Sequence, residues 1–319
     1  ISEYNNRIYI SEVKSNGELQ DSWTIFKPLN YLDVDGNYGP INNITVLNDK
    51  LLFFQDKAFG EILLNPRTTI TDIDGGEVQL GTGQGLVDYN YISTSAGSKH
   101  QWGILNTSNS VYFWDANLRK IFRYSGQGNE PLSDLKSMSN FLYNITGTIL
   151  TKDTPINFQG IRTTYDYKYN DVIFTFNSSI LNYTLIYNER INAFSGFYSH
   201  FPRHYVNDNK RIFSQNPDNY DIYVHDEGKK GEFYGTKYPS KLTLIVNPKG
   251  TWNKVFNNIE FLSQIIDQSQ LNIDIPLETI TSIRFYNEWQ DTGTIQLTPQ
   301  TNIRRRFRIW TNKTMKLLI

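Results

Sequence analysis

The chain has 319 residues, with 31 Lys and Arg against 32 Asp and Glu, four His and no Cys. The lack of Cys excludes disulfides, zinc–cysteine modules and cysteine nucleophiles, and a net charge of −1 argues against avid, sequence-independent binding of nucleic acid. No apolar run approaches the roughly 18 residues of a membrane-spanning helix, so we expect no membrane insertion of this segment.

The residue types predict an all-β fold. Tyr, Phe and Trp number 21, 19 and 6, whereas Met numbers only 2. Aromatic and β-branched residues favour strands, and Gly, Asn and Asp favour the tight turns between them. Short apolar runs bounded by such turn residues recur along the chain, so we expect many short antiparallel strands and few helices.

Four strand–turn–strand units resemble one another, and the first two align without gaps at an offset of 60 residues. The units are 51–54 with 62–64, 111–114 with 121–124, 172–176 with 184–187, and 211–213 with 222–224. Repetition at about 40 to 60 residues is typical of β-propeller blades. The alternative is a sandwich or mixed β assembly, because the spacing is uneven and no WD or kelch consensus is present.

The rest of the chain divides into an inserted helix, a linker and a second set of strands. A helix is predicted at 131–143 from apolar residues at helical spacing, packed against the β core. The polar, Gly-rich stretch 229–235 is typical of a linker. We therefore expect a β-propeller-like repeat region at 1–240 and a small C-terminal β domain, or closing blades, at 241–319. The strands predicted in this second region are 242–246, 259–262, 280–285, 294–297, 307–310 and 315–319.

Two Asp-x-Asp-Gly stretches are the weak candidates for a metal site. The first contains Asp33 and Asp35, and the second contains Asp72 and Asp74. Calcium loops place carboxylates at alternate positions, but they also need further ligands, including a downstream bidentate Glu. Neither stretch supplies these, so a tight turn is the favoured interpretation, and we expect no bound metal and no cofactor.

The sequence offers no catalytic motif, and we expect no enzyme. His200 and His204 are four residues apart, but Pro202 between them argues against the helix that would align two metal ligands. A glycosidase needs two facing carboxyl groups, which a sequence cannot show. The candidates in principle, each better explained as a solvated or capping group, are Glu130, Asp134, Glu189, Glu288 and Asp291.

The basic run Arg304-Arg305-Arg306-Phe307-Arg308 is the one concentration of positive charge in the sequence. In a strand, successive Arg side chains would point to opposite faces. Part of the run should then be free for an acidic partner surface or a phosphate, which makes Arg304, Arg305, Arg306 and Arg308 candidate interface residues. The alternative is edge-strand charge that prevents aggregation.

Several stretches, taken together, resemble a known family of virion proteins. They are Trp102–Asn106, Tyr112–Asp115, Arg119–Tyr124, Ser133–Lys136, Tyr165–Asn170, Val172–Phe176, Tyr187–Glu189, Phe285–Gly293 and Asn302–Arg308. The chain resembles large virion proteins of crAss-like podoviruses, bacteriophages of gut Bacteroidetes, and in particular the tail muzzle or nozzle type. The chain is much shorter than a full muzzle subunit and begins at Ile1, so we expect a fragment of a longer polypeptide.

The resemblance implies a non-enzymatic, β-propeller-based subunit at the distal end of a short tail. Such a subunit would assemble as a homo-oligomer and with other tail proteins around a channel for genome ejection, through which double-stranded DNA passes transiently. The implied location is the virion tail, with assembly in the host bacterial cytoplasm. Zero Cys suits that reducing compartment, and near-neutral charge suits a conduit that does not retain DNA.

The alternative function is a carbohydrate-binding or polysaccharide-degrading receptor-binding protein at the tail tip. Its partner would be a host surface glycan, bound in a groove lined by aromatic residues such as Trp102, Tyr112 or Trp289. A propeller protein of the host's outer membrane or secretome is a third, weaker interpretation.

Overall fold

The computed structural model describes residues 3–12, 21–64, 68–71, 77–80, 85–145, 153, 159–178, 182–208, 210–246, 258–267 and 273–312. The chain divides into two compact units, Ile1–Ser240 and Lys241–Ile319, which are described separately below. Strands predominate in both, and the described residues include two short α-helices. The predicted all-β class is therefore confirmed. No helix in the described part of the chain is long and apolar enough to cross a membrane.

The described residues of the first unit form 21 strands and the two α-helices. The elements up to the helices are β1 (Arg7–Tyr9), β2 (Tyr31–Asp33), β3 (Ile41–Leu47), β4 (Lys50–Gln55), β5 (Phe59–Leu64), β6 (Thr68–Thr71), β7 (Glu77–Leu80), β8 (Leu86–Ser93), β9 (Ile104–Asn106), β10 (Ser110–Asp115), β11 (Lys120–Ser125) and β12 (Gly128–Glu130). They are followed by α1 (Leu132–Leu135), α2 (Ser139–Ile145), β13 (Gly160–Asp166), β14 (Asp171–Asn177), β15 (Tyr183–Asn188), β16 (Ala193–Tyr198), β17 (Tyr205–Asn207), β18 (Ile212–Gln215), β19 (Ile222–Val224), β20 (Glu232–Phe233) and β21 (Thr236–Lys237).

Four consecutive antiparallel sheets form most of this unit. Sheet I has the strand order β3-β4-β5-β8, sheet II is β9 to β12, sheet III is β13 to β16, and sheet IV is β17 to β19. Sheets II and III are simple meanders, whereas the β6–β7 hairpin, a separate two-stranded sheet, lies between β5 and β8 in the chain. All four hairpins predicted from the repeat units are present, because β4–β5, β10–β11, β14–β15 and β18–β19 each pair.

The first strands of the sheets touch one another in series. β3 contacts β9, β9 contacts β13, and β13 contacts β17. Four-stranded meanders that meet through their first strands are typical of propeller blades. The residues described here show a series of blade-like sheets, and they do not show a closed propeller.

Each middle sheet is buried on both faces. In β10, Val111 and Phe113 pack with Phe54 of sheet I, whereas Tyr112 and Trp114 pack with sheet III. Successive strand residues point to opposite faces. A strand that lies between two packed neighbours therefore needs a continuous apolar run rather than an alternating one.

The same rule applies at the two ends of the series. Phe53 packs with Ile8 and Val34 near β1 and β2, while Ile173 of sheet III packs with Tyr205 and Ile212 of sheet IV. Fully burying one such apolar side chain contributes about 1.5–3 kcal/mol. The stacking of sheets through these clusters is accordingly the main stabilising interaction of the unit.

The predicted helix at 131–143 is wrong as a single element. Two short helices, α1 and α2, flank a break at which Ser137 has a left-handed backbone (φ 59°), and the Met138 amide donates to the Ser133 carbonyl oxygen at 2.8 Å. Leu132 and Leu142 are fully buried, but Leu135, which the spacing placed on the same face, is 59% exposed. The break lets both helices direct one leucine into the cluster between sheets II and III.

The predicted linker at 229–235 is also wrong. This stretch contains β20 and contributes to the β20–β21 hairpin, which turns at Tyr234 and Gly235. Phe233 stacks on His200 with ring centroids 4.5 Å apart, and the Tyr234 hydroxyl lies 2.7 Å from the Ser214 hydroxyl. The aromatic residues of this segment therefore pack against the first unit, with Tyr234 on sheet IV, and the segment is not an extended linker.

The second unit contains β22 (Glu260–Leu262), β23 (Ile266–Asp267), β24 (Ile273–Asp274), β25 (Ser282–Ile283), β26 (Ile295–Gln296), β27 (Ile303–Arg306) and β28 (Ile309–Asn312). Its sheets have the orders β22-β28-β27, β23-β24 and β25-β26. Leu297, Ile303 and Trp310 form its buried core.

The strand predictions for this unit are only partly correct. The predicted strands 259–262, 280–285 and 294–297 coincide with β22, β25 and β26, although the last two are short. The prediction at 242–246 is wrong because this stretch forms no strand in the structure. The prediction at 307–310 is wrong in its first half, because Phe307 and Arg308 form a turn. The prediction at 315–319 lies outside the described residues.

Gly97 lies in the connection between β8 and β9, packed closely between the β4–β5 turn of sheet I and Asp115 of sheet II, and its replacement tests this packing. A Cβ at this position would lie 2.4 Å from the Gln55 carbonyl oxygen and 2.5 Å from the Ala58 nitrogen of sheet I, while the Gly97 amide donates to buried Asp115 of sheet II at 2.9 Å. We expect Gly97→Ala to lower the free energy of unfolding by at least about 2 kcal/mol, because backbone atoms must move.

Thermal and urea unfolding of the purified variant measure this effect. Gly126→Ala is the matched control, because a Cβ there meets no atom within 4 Å. Equal stability of the two variants would contradict the close approach at Gly97.

Candidate functional site

The β27–β28 hairpin carries the basic run in an ordered, two-sided arrangement. Arg304 pairs with Thr311, Arg305 with Trp310 and Arg306 with Ile309. Ile303 is fully buried, whereas Arg304 and Arg306 are exposed. The alternation expected for a strand is therefore confirmed.

Arg305 is the member of the run that is engaged within the second unit. Its Nη1 donates to the Pro276 carbonyl oxygen at 2.7 Å, and its guanidinium lies 6.0 Å from the centroid of the buried Trp310 ring. Arg305 therefore fixes the hairpin to the body of the unit.

The turn of this hairpin displays an aromatic side chain in an unusual backbone conformation. Phe307 and Arg308 have φ angles of 47° and 69°, a region in which a residue with a Cβ costs about 1–2 kcal/mol. Phe307 is 96% exposed. A two-residue turn that joins two antiparallel strands commonly needs positive φ at both of its residues, and here that turn presents Phe307 between exposed arginines.

The candidate metal residues that the structure describes are engaged in other contacts. Asp33 accepts two hydrogen bonds from Arg7, at 2.6 and 2.8 Å, and these bonds lower the pKa of its carboxyl group. Asp35 accepts from the Asn37 amide at 2.9 Å, as in a tight turn. Asp72 and Asp74 lie outside the described residues. Within the described part of the chain, no group of three His, Cys, Asp or Glu residues is placed to hold a metal ion.

The histidines belong to no group of three metal ligands among the described residues, although the ring centroids of His200 and His225 lie 4.9 Å apart. His200 is buried against Phe233 and Tyr198, and His204 packs edge-on against Trp102. The Nε2 of His225 lies 2.6 Å from the Ser214 hydroxyl. Burial is the largest cause that lowers the pKa of each of the three rings. These histidines are therefore neutral at pH 7 and contribute through packing.

Most carboxyl groups considered for sugar chemistry have structural partners. Glu189 accepts hydrogen bonds from Tyr112 and Tyr165, both at 2.7 Å, which join sheets II and III. Glu130 pairs with Arg123 at 2.6 Å. Asp134 pairs with Lys120, and Asp291 pairs with Arg284.

The aromatic residues proposed for a sugar groove are placed very differently from one another. Tyr112 is 1% exposed and lies in the core between sheets II and III, so its proposed role in a groove is wrong. Trp102 is half exposed and Trp289 is 87% exposed.

A buried charged cluster at the start of sheet III was missed by the sequence reasoning. Asp153 lies 2.7 Å from His100 Nδ1 and 3.4 Å from Arg162 Nη1, and all three side chains are almost fully buried. Burial raises the pKa of Asp153, but the contacts with His100 and Arg162 lower it by more. The three residues lie up to 62 positions apart in sequence, and no spacing pattern connects them.

A surface cavity of about 200 Å³ lies beside β17 and β18. Its lining includes the carboxyl groups of Asp166, Asp226 and Glu227 and, in equal number, the cationic groups of Lys168, Lys210 and Arg211. This balance favours no ligand charge. The β27–β28 hairpin, with its exposed arginines and Phe307, is named the Arg–Phe hairpin below and is the best candidate for interaction.

The stacked antiparallel sheets define an all-β protein. Comparison with known proteins identifies its family. The family model described as Crassvirus muzzle protein matches residues 1–218, and the one described as Crassvirus muzzle protein C-terminal domain matches residues 228–316. The chain belongs to the Crassvirus muzzle protein family, which confirms the predicted resemblance.

A curated relative extends this result. The muzzle protein of Bacteroides phage crAss001 is 27% identical over 325 residues, an alignment that covers 97% of this chain and 22% of that protein. The chain thus spans about a fifth of the length of that relative.

The buried His200 predicts a loss of stability in acid. Burial and the neighbouring His225 lower its pKa from 6.5 to about 3, so below pH 6.5 the unfolded chain binds a proton that the folded chain does not. Stability must therefore fall as the pH falls from 6.5 toward 3. For His200 alone, we expect the free energy of unfolding to decrease by about 2 kcal/mol between pH 7 and pH 5.

His200→Phe should remove this part of the pH dependence, which urea unfolding at pH 7 and pH 5 measures. The replacement suits the site because neither ring nitrogen of His200 has a hydrogen-bond partner in the described structure. His204→Phe, at a half-buried ring, is the control and should have a smaller effect. An unchanged pH dependence in His200→Phe would show that His200 does not remain neutral in the fold.

Proposed function

We propose that the chain is part of a non-enzymatic structural subunit of a phage tail, in the distal muzzle of a crAss-like bacteriophage. The observation that carries this proposal is the match of its two regions to the muzzle family. Rigid stacking supports it, because each sheet is fixed to the next through a buried cluster. A unit whose sheets are fixed in this way suits a tail subunit that must resist mechanical force.

The proposed assembly surrounds a channel through which the genome leaves. Each Lys or Arg that neutralises a phosphate strengthens binding to DNA, and a conduit must release the DNA that it guides. The chain has a net charge of −1, and several of its arginines are already paired with carboxylates, as Arg7, Arg123 and Arg284 show. This charge distribution supports passage without retention.

Quantitative mass spectrometry of purified virions tests the function directly. We expect peptides from this chain at several copies per particle, in a fixed ratio to the other tail proteins. The same peptides should be absent from heads purified without tails. Absence from complete particles would overturn the proposal.

The Arg–Phe hairpin is the proposed contact of this subunit with a neighbouring tail protein. Aromatic and Arg side chains are enriched at the centres of protein interfaces, and Phe307, Arg304, Arg306 and Arg308 are all exposed. A neighbour with an apolar pocket and a carboxylate rim would match them.

Charge reversal tests this contact in the phage itself. A phage carrying Arg304→Glu, Arg306→Glu and Arg308→Glu should lose infectious titre by about tenfold or more, since repulsion from the carboxylate rim should weaken the contact by at least about 1.4 kcal/mol. The thermal midpoint of the isolated variant chain should be unchanged. Arg190→Glu, in the β15–β16 turn, is the control, and equal titres for the two phages would contradict the contact.

A further inference from the structure

Sheet IV has three strands, whereas sheets I, II and III each have four. The strand at its end is β19, and within the described residues β19 pairs only with β18. An open edge of this kind offers unpaired backbone groups to another strand.

The hydrogen-bond pattern identifies which backbone groups of β19 are open. Asn216 donates to the Asp221 carbonyl oxygen at 3.2 Å, and His225 donates to the Ile212 carbonyl oxygen at 2.8 Å. Antiparallel pairs alternate between bonded and non-bonded residues. The N–H and C=O groups of Ile222 and Val224 therefore point away from β18, and the Ile222 side chain is 73% exposed.

The segment Lys241–Val246 has the complementary property. Its sequence, Lys-Leu-Thr-Leu-Ile-Val, has the aliphatic and β-branched composition of a strand, yet it pairs with no strand in the described structure. Leu242, Leu244, Ile245 and Val246 are 82, 69, 95 and 63% exposed. A β-prone apolar segment left in water is an aggregation hazard, so an assembly should cover it.

We propose that Lys241–Val246 of a second copy of this chain pairs with β19 and completes sheet IV as its fourth strand. Main-chain hydrogen bonds to Ile222 and Val224 would supply the affinity, as in other cases of strand addition. Asp221 immediately precedes β19, so a carboxylate stands at one end of the edge, where it can attract Lys241.

This contact joins two different surfaces, so it is heterologous, and repetition of it produces a ring or a filament. The inference rests on the proposed assembly of several copies in the tail, and it names the contact between them. Each copy would give one strand to a neighbour and receive one from another.

Cross-linking between copies tests the pairing, and the lack of native Cys makes any introduced thiol unique. One preparation of the full chain carries Ile222→Cys and a mass tag, and another carries Leu242→Cys, Leu244→Cys or Val246→Cys. Residues opposed across strands have Cα atoms about 4.5–5.5 Å apart, which suits a disulfide. After mixing and mild oxidation, we expect one of the three pairs to give about tenfold more mixed dimer than a control pair.

The control pair replaces Ile222→Cys by Val87→Cys, a half-exposed aliphatic position on β8, the outermost strand of sheet I. Equal yields for Ile222 and Val87 would overturn the pairing. A third preparation carries both cysteines in one chain. A disulfide that forms within that chain but never between separate chains would also overturn the pairing.

A backbone substitution gives an independent test. Ile222→Pro removes an N–H that β18 does not use, so the variant should fold, but it cannot donate to an added strand. We expect its mass in solution to fall toward that of the 37.1 kDa monomer, whereas Ile222→Thr, which keeps the N–H, should remain associated. Ile245→Lys should also dissociate the copies without altering sheet IV.

Light scattering after gel filtration measures these masses, and circular dichroism verifies folding. Oligomers that persist in both Ile222→Pro and Ile245→Lys would overturn this inference but leave the structural function intact. Absence of the chain from virions would instead overturn the structural function.

Discussion

The structure of the first unit depends on the burial of each sheet between two neighbours. A sheet packed on one face can place polar residues on the other, but sheets II and III have no solvent face along their central strands. Phe113 and Trp114 are adjacent in sequence and serve different clusters. The continuous apolar runs of the central strands and their large aromatic residues follow from this constraint.

Stacked sheets create a second requirement, because polar atoms at the buried seams need partners. Tyrosine satisfies it with a large apolar ring and one hydroxyl group. The Tyr112 and Tyr165 hydroxyls share Glu189, and the Tyr205 hydroxyl lies 2.7 Å from Thr175. The Asp115 carboxylate of sheet II accepts hydrogen bonds from the Gly97 amide and from the amides of Asn117 and Leu118 in the following turn. These contacts fix the orientation of neighbouring sheets, a property suited to a structural subunit.

Local sequence predicted the hairpins well because their signal is local. Runs such as Val111–Trp114 can be buried on both sides only in a stacked strand, and the turn residues mark their ends. The break at Ser137 depends on how Leu132 and Leu142 fit a cluster formed by distant strands, so spacing alone suggested one helix. Leu242–Val246 has the composition of a strand without a partner in the described structure. The Asp153 cluster joins residues from three separate stretches, and its existence depends on tertiary folding.

The most direct test of this organisation is a cryo-electron microscopy map of the virion tail at a resolution that shows side chains. Our account predicts subunits arranged around the tail axis. In each, sheets I to IV should be stacked in chain order, with β3, β9, β13 and β17 as the adjacent first strands. A map in which these four sheets pair as an isolated sandwich, with β9 and β13 apart, would contradict it.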